Sequence, residues 1–326
     1  MSFPIHRHRR MRTTPALRRL VAESTLSVDD LITPIFVREG IDSPVEIPSL
    51  PGVYQHTIGS AAEFCKRLAD LGIPGTIIFG VPEAKDETGS AAWDPKGIAQ
   101  IAISAIKSAV GDGLVVMADL CLDEYISSGH CGVLNSSGDV DNDATLELYA
   151  KVAIAQANAG VDLVGPSGMM DGQVGVVRSA LDSVGYSNVG IMAYSAKYAS
   201  ALYGPFRDAV DVRIADGGNR STYQQDYHNA KESLSEMLAD IEQGADIVMV
   251  KPAMTYLDIV SLAKRNVTVP VAAYHVSGEY AMIKAAAANG WIDGDAVALE
   301  QLTSIKRAGA SMILTYFAPF ISELLG

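Results

Sequence analysis

Eight short apolar runs recur along the 326-residue chain: LITPIFV (31–37), GTIIFG (75–80), LVVMADL (114–120), VDLVGPS (161–167), VGIMAYS (189–195), ADIVMVKP (245–252), VPVAAYHVS (269–277) and SMILTYFA (311–318). Their apolar character is nearly continuous rather than alternating, as expected of strands buried on both faces. Segments with helical spacing lie between them. In SAAEFCKRLADLG, Ala62, Phe64 or Cys65, Leu68 and Leu71 form one stripe that stops at Gly72. DPKGIAQIAISAIKSAVGDG opens on Asp94-Pro95, read as a cap with proline in the first turn, and closes at Gly111. ATLELYAKVAIAQANAG, KESLSEMLADIEQG, TYLDIVSLAKRN, GEYAMIKAAAANG and ALEQLTSIKRAGA repeat the theme. Eight such alternations predict an α/β fold, a closed (β/α)8 TIM barrel over residues 31–326 with an extended N-terminal arm over 1–30. A doubly wound open sheet is the runner-up, but no G-x-G-x-x-G follows the first strand.

Composition narrows the partners. Hydrophobic residues make up 48% and charged ones 19%, and the net charge of −13 argues against a general nucleic-acid binder. No apolar run approaches the roughly 20 residues of a membrane helix. The first twenty residues, MSFPIHRHRRMRTTPALRRL, are strongly basic and contain no acid. We read them as an arm that docks on an acidic body, that of a neighbouring subunit. A transit peptide and a nucleic-acid arm are the alternatives. Three cysteines do not make a disulfide framework, which fits a reducing cytoplasm.

Unusual residues gather at one end of the expected barrel. In this fold, chemistry sits at the C-terminal ends of the strands. Asp119 ends the third run, Lys197 lies just past the fifth and Lys251 ends the sixth. Ser277 ends the seventh and Tyr316 lies late in the eighth. Lysines are almost never buried without pairing or purpose. Two on adjacent strand ends would disfavour each other's charge, as would desolvation, leaving neutral amines able to form Schiff bases with ketones. The bland alternative is that each snorkels out to a carboxylate. In ADLCLDEYISSGHCGV (118–133), Cys121 and Asp123 point the same way in an extended segment, and Gly129 and Gly132 let the loop return Cys131, with His130 beside it. Three such ligands make a plausible divalent-metal site with an open position; ordinary loop cysteines are the alternative. Cys65, on a helix stripe, reads as core. The long connection after Lys197 carries Arg207, Arg213, Arg220 and Gln224 beside a Gly217-Gly218 pair, which suits a lid that captures a carboxylate; a solvated loop is the alternative. DVDND (139–143) lacks the glycine and terminal acid of a calcium loop and reads as a turn and helix cap.

With these residues placed, the chain resembles the 5-aminolevulinate dehydratase (porphobilinogen synthase) family from about Arg10 to Tyr316. MAYSAKYASALYGPFRDA, MVKPAMTYLDIV, VSGEYAMIKAAAANGW, SIKRAGA and TYFA carry the likeness. The resemblance implies a lyase of tetrapyrrole synthesis that condenses two 5-aminolevulinates to porphobilinogen with loss of two waters. It implies that Lys251 holds one substrate, its carboxylate gripped by Ser277 and Tyr316. Lys197 holds the other, with Arg207, Arg220 and Gln224 on that carboxylate, and Asp119 orients Lys197 or moves protons.

The metal loop is a hybrid. Zinc-type relatives carry three cysteines there and magnesium-type relatives largely aspartates, whereas this chain has Cys121, Asp123 and Cys131. Thiolates prefer zinc to magnesium, so the expected occupant is zinc or no metal at all. The resemblance also implies an allosteric magnesium at Glu236, near a subunit interface reached by Arg7, in a cytoplasmic homo-octamer built through the arm. Gly168 stands where relatives usually have an aspartate near that site. Another Schiff-base aldolase on the same barrel and a non-catalytic barrel remain the rival readings.

Overall fold

A computed structural model describes residues 6–214 and 218–325. Among the described residues ten strands form one sheet, and eight of them close on themselves. The closed set is β1 (Leu31–Arg38), β4 (Gly75–Val81), β5 (Val115–Leu120), β6 (Leu163–Pro166), β7 (Gly190–Lys197), β8 (Ile247–Lys251), β9 (Val271–His275) and β10 (Met312–Thr315). All pair in parallel in chain order, and β10 returns to β1 through Leu31↔Ile313 and Ile32↔Leu314. The architecture is therefore a (β/α)8 barrel. Strands β1 and β4 are buried along nearly their whole length, which accounts for their unbroken apolar sequence.

Helices α2 (Ile58–Asp70), α3 (Ile98–Val110), α4 (Asn142–Ala159), α5 (Gln173–Ser183), α7 (Lys231–Glu242), α8 (Leu257–Asn266), α9 (Ser277–Ala288), α10 (Gly294–Ala308) and α11 (Ala318–Leu325) surround the strands, and the short α6 (Gly204–Ala209) follows β7. In α2, Thr57 caps the Ser60 amide, and Ala61, Cys65 and Leu68 form the buried stripe. Cys65 is thus core. In α4, the Asp141 side chain accepts from the Ala144 amide, and Gly160 ends the helix at φ 97°, so DVDND is a turn and cap.

Several elements differ from the sequence reading. The α3 helix starts at Ile98, not at Asp94-Pro95, because the Asp94 carboxylate takes the Lys96 amide and makes a local turn instead. Helix α5 and the short ribbon of β2 (Val45–Glu46) and β3 (Tyr54–His56) were not anticipated. Ser277 begins α9 rather than ending β9, Tyr316 lies one residue beyond β10, and Lys197 is the last residue of β7.

The arm holds a 3₁₀ turn (His8–Arg12) and helix α1 (Pro15–Leu20), neither with a buried residue. Leu20 is 79% exposed, so this part of the arm leaves apolar surface open, whereas Leu26, nearer the barrel, packs into the core. No helix among the described residues is long and apolar enough to cross a membrane.

Candidate active site

The C-terminal mouth of the barrel brings the two lysines together. Lys197 and Lys251 are paired positions at the ends of β7 and β8. Both nitrogens sit over one ring, 5.7 Å and 5.0 Å from the Tyr194 centroid respectively. Strict alternation would send Tyr194 and Lys197 to opposite faces, but a register shift between Ala193 and Ala196 turns both inward. The sequence carried no signal for that shift, so Tyr194 was missed.

Their surroundings differ sharply. Lys251 Nζ lies 4.4 Å from the Tyr274 centroid, 5.1 Å from Phe206 and 5.3 Å from Tyr203, a cage of aromatic rings. Burial first, and then the charge of Lys197, lowers its pKa to about 7. Lys197 donates to the Ser167 carbonyl at 2.6 Å. Burial opposes its charge too, but Cys131, Cys121 and Asp123 outweigh that and hold its pKa above the ordinary lysine value. The expectation of two depressed amines is thus met by Lys251 alone; negative groups beside Lys197 keep it charged.

Asp119, at the end of β5, accepts from the Ser167 hydroxyl at 3.0 Å, while its Oδ1 has no partner. Burial raises it to about 6 against the pull of Lys197. Ser167 therefore touches both Asp119 and Lys197. It too was missed, as a serine at a strand end carries little sequence signal.

Cys121, Asp123 and Cys131 are all buried, and their ligand atoms lie within 4.8 Å of one another. Burial opposes the charge of Asp123, but Arg220 at 2.8 Å and Lys197 hold its carboxyl well below the ordinary range. Burial also works against a Cys131 thiolate, yet the Cys121 hydrogen bond and Arg220 bring it down to about 7; burial pushes Cys121 far up. Two sulfurs and one carboxylate with a further position open suit zinc far better than magnesium. Glu124, next in the chain, has both oxygens buried without a partner, and burial followed by Asp123 and Asp119 raises its pKa strongly.

Arg220 also donates to the Gly129 carbonyl at 2.8 Å, tying its own segment of the connection after β7 to the cysteine loop. His130 and the Cys131 amide meet the Tyr223 hydroxyl at 3.0 and 3.3 Å. Lys197, Phe206, Arg207, Arg220, Gln224 and Lys251 line a cavity of about 240 Å³. Arg220 Nε and Gln224 Nε2 are buried donors without partners. Arg213 faces a second cavity on the far side of Arg207, and Gly217 lies outside the described residues. The Ser277 hydroxyl accepts from the Phe206 amide at 3.0 Å, and Tyr316 shares a 3.2 Å hydroxyl contact with Tyr274. Ser277 and Tyr316 thus adjoin the aromatic cage.

The family model described as Delta-aminolevulinic acid dehydratase matches residues 5–324. The chain belongs to the delta-aminolevulinic acid dehydratase family. Delta-aminolevulinic acid dehydratase of Streptomyces coelicolor is 56% identical over 99% of this chain and 98% of its own. That of Mycobacterium tuberculosis is 54% identical over 97% and 96%. The Toxoplasma gondii delta-aminolevulinic acid dehydratase (porphobilinogen synthase), solved in complex with the reaction product porphobilinogen, superposes with a TM-score of 0.96. It is 41% identical and covers 98% of this chain and 92% of its own. This family member is a lyase of a metal-dependent family, and Cys121, Asp123 and Cys131 form a group that could hold a metal ion.

Glu236 stands apart from the mouth, on α7. With Asp171 and Asp240 it lines a separate cavity of about 220 Å³. Burial, then Asp240 and Asp171, raises Glu236 to about 7, and burial raises Asp240 to about 6. Gly168 contributes no side chain there.

Proposed function

We propose that this chain condenses two molecules of 5-aminolevulinate to porphobilinogen, releasing two waters, through Schiff bases on Lys251 and Lys197. The observation that carries this reading is the pair of lysines at adjacent strand ends, both over Tyr194, with the caged amine lowered to about 7. At neutral pH a large share of Lys251 is the free amine. Its nitrogen attacks the ketone carbon of one substrate, and the carbinolamine loses water to give an imine. Lys197 must first give up a proton. Asp119, which accepts from the Ser167 hydroxyl while Lys197 donates to the Ser167 carbonyl, is ionised above about 6 and takes that proton in this reading. The second ketone then loses its water in the same way. Loss of a C–H proton converts one imine to an enamine, whose carbon attacks the other imine carbon and returns that electron pair to nitrogen. A substrate amine replaces the lysine at the remaining imine, each lysine leaves as an amine, and a final proton loss makes the ring aromatic.

Arg207, Arg220 and Gln224 supply donors for the carboxylate of the substrate on Lys197, two of them buried with unused hydrogens. Ser277 and Tyr316 take the carboxylate on the Lys251 side. Cys121, Asp123 and Cys131 would hold zinc, which supplies positive charge near the Lys197 substrate when bound. Glu236, with Asp171 and Asp240, offers carboxylates to an allosteric magnesium, whose charge would offset the repulsion that raises them. The basic arm, residues 1–30 with Arg7, serves assembly: its segments His8–Arg12 and Pro15–Leu20 have no buried residue, and the arm lies against another copy of this acidic chain in a homo-octamer. The three cysteines are free thiols, which supports a cytoplasmic setting.

Borohydride reduction in the presence of 5-aminolevulinate should leave covalent adducts on Lys251 and Lys197, read by peptide mass. An unmodified Lys251 in turning-over enzyme refutes the assignment.

A further inference from the structure

Gly168 is buried, and its φ lies outside the left-handed region, so the chain needs it for lack of a side chain rather than for backbone freedom. A Cβ there would fall inside the Tyr149 hydroxyl and lie 2.7 Å from Tyr149 Cζ. Tyr149, wholly buried on α4, donates its hydroxyl to the Cys131 carbonyl at 2.8 Å, and the same oxygen lies 3.7 Å from Cys121 Sγ. On one side Gly168 follows Ser167, which accepts from Lys197 and donates to Asp119. On the other it precedes Met169, Met170 and Asp171, which line the Glu236 cavity. Residues 167–171 therefore adjoin the amine, the sulfur loop and the acidic cavity within one short stretch.

We propose that Tyr149 is a positioning residue: its hydroxyl, seated in the space left open at Gly168, fixes the Cys121–Cys131 loop against the segment that holds Lys197. Position 168 is committed to this seat. Gly168→Asp thus unseats Tyr149 and does not add a ligand to the Glu236 cavity. The kinetic consequence rests on the role proposed above for Lys197; thiol accessibility is read without it.

The test uses the full-length enzyme as wild type, Tyr149→Phe, Gly168→Ala and the double variant, each checked for folding by thermal melt. Alkylation of Cys121 and Cys131 by iodoacetamide is followed by peptide mass in metal-free protein, alongside kcat, KM and borohydride trapping at Lys197. Tyr149→Phe should speed alkylation roughly 5- to 10-fold, the worth of one hydrogen bond to local opening, and lower kcat several-fold with little change in KM. Gly168→Ala should speed it on the order of 100-fold, and the double variant should fall short of the product of the singles, because the hydroxyl that the new methyl overlaps most is gone and only the ring-carbon contact at 2.7 Å is left to relax. Unchanged alkylation in Tyr149→Phe, or a multiplicative double variant, overturns the proposal. If Gly168→Ala does not fold, Tyr149→Phe decides alone. Faster alkylation with unchanged kcat and trapping overturns the link to Lys197, whereas absence of any adduct in wild type overturns the Schiff-base reading instead.

Discussion

Lys197 and Lys251 occupy equivalent places on neighbouring strands, yet one faces sulfur and carboxylate and the other faces aromatic rings. On the Lys251 side, burial and then the charge of Lys197 outweigh the pull of Asp119, Asp123 and Glu124, so the amine approaches neutrality at physiological pH. On the Lys197 side, Cys131, Cys121 and Asp123 keep the proton on. A single motif, a lysine closing an apolar strand, thus yields a ready nucleophile in one place and a held proton in the other. Neighbours from other strands and loops decide which.

Substitutions can break this contrast in order of expected size. Lys251→Ala should lower turnover by at least about 10⁴-fold, since it removes the nucleophile outright. Lys197→Ala should cost on the order of 10³-fold in turnover while leaving Lys251 open to borohydride trapping with a single substrate. Loss of trapping at Lys251 in that variant would mean that the two amines do not act separately.

Removing the buried amine should also act on stability. Lys251 has a lowered folded pKa, about 7 against 10.5, so the folded chain binds fewer protons than the unfolded one between those values. The penalty is complete below about 7 and fades as pH rises toward 10.5. Lys251→Met should therefore raise stability by roughly 2 kcal/mol at pH 6 and by much less at pH 10, measured by denaturant melts. A stabilisation that does not vary with pH would contradict a buried, depressed amine. Cys131→Ser should act on the other lysine, lowering its pKa and shifting the pH profile of trapping at Lys197 downward by about one unit. The smallest effect belongs to Glu236→Ala, which should abolish a few-fold stimulation by magnesium while leaving the basal rate in place; stimulation that survives would exclude Glu236.

The same contrast marks what could be read in the sequence. Eight continuous apolar runs named the barrel because strands covered on both faces have few other sequences open to them. The lysines stood out because charge ending such a run is rare. Tyr194 did not, as a register shift within β7 sets its facing. The charged state of Lys197 was also out of reach, because it depends on Cys121, Cys131 and Asp123 folding back from the loop after β5. Gly168 was noticed as a missing aspartate, but its reason lies in Tyr149, nineteen residues earlier on α4, and only the fold brings the two together.

The most direct measurement is the pH dependence of borohydride trapping resolved by peptide, from pH 5 to 10, with 5-aminolevulinate at saturation. The rate of adduct formation at Lys251 should rise with a midpoint near 7, and that at Lys197 should rise only at clearly higher pH. Coincident midpoints for the two lysines, or labelling of Lys197 before Lys251 at pH 7, would contradict the account.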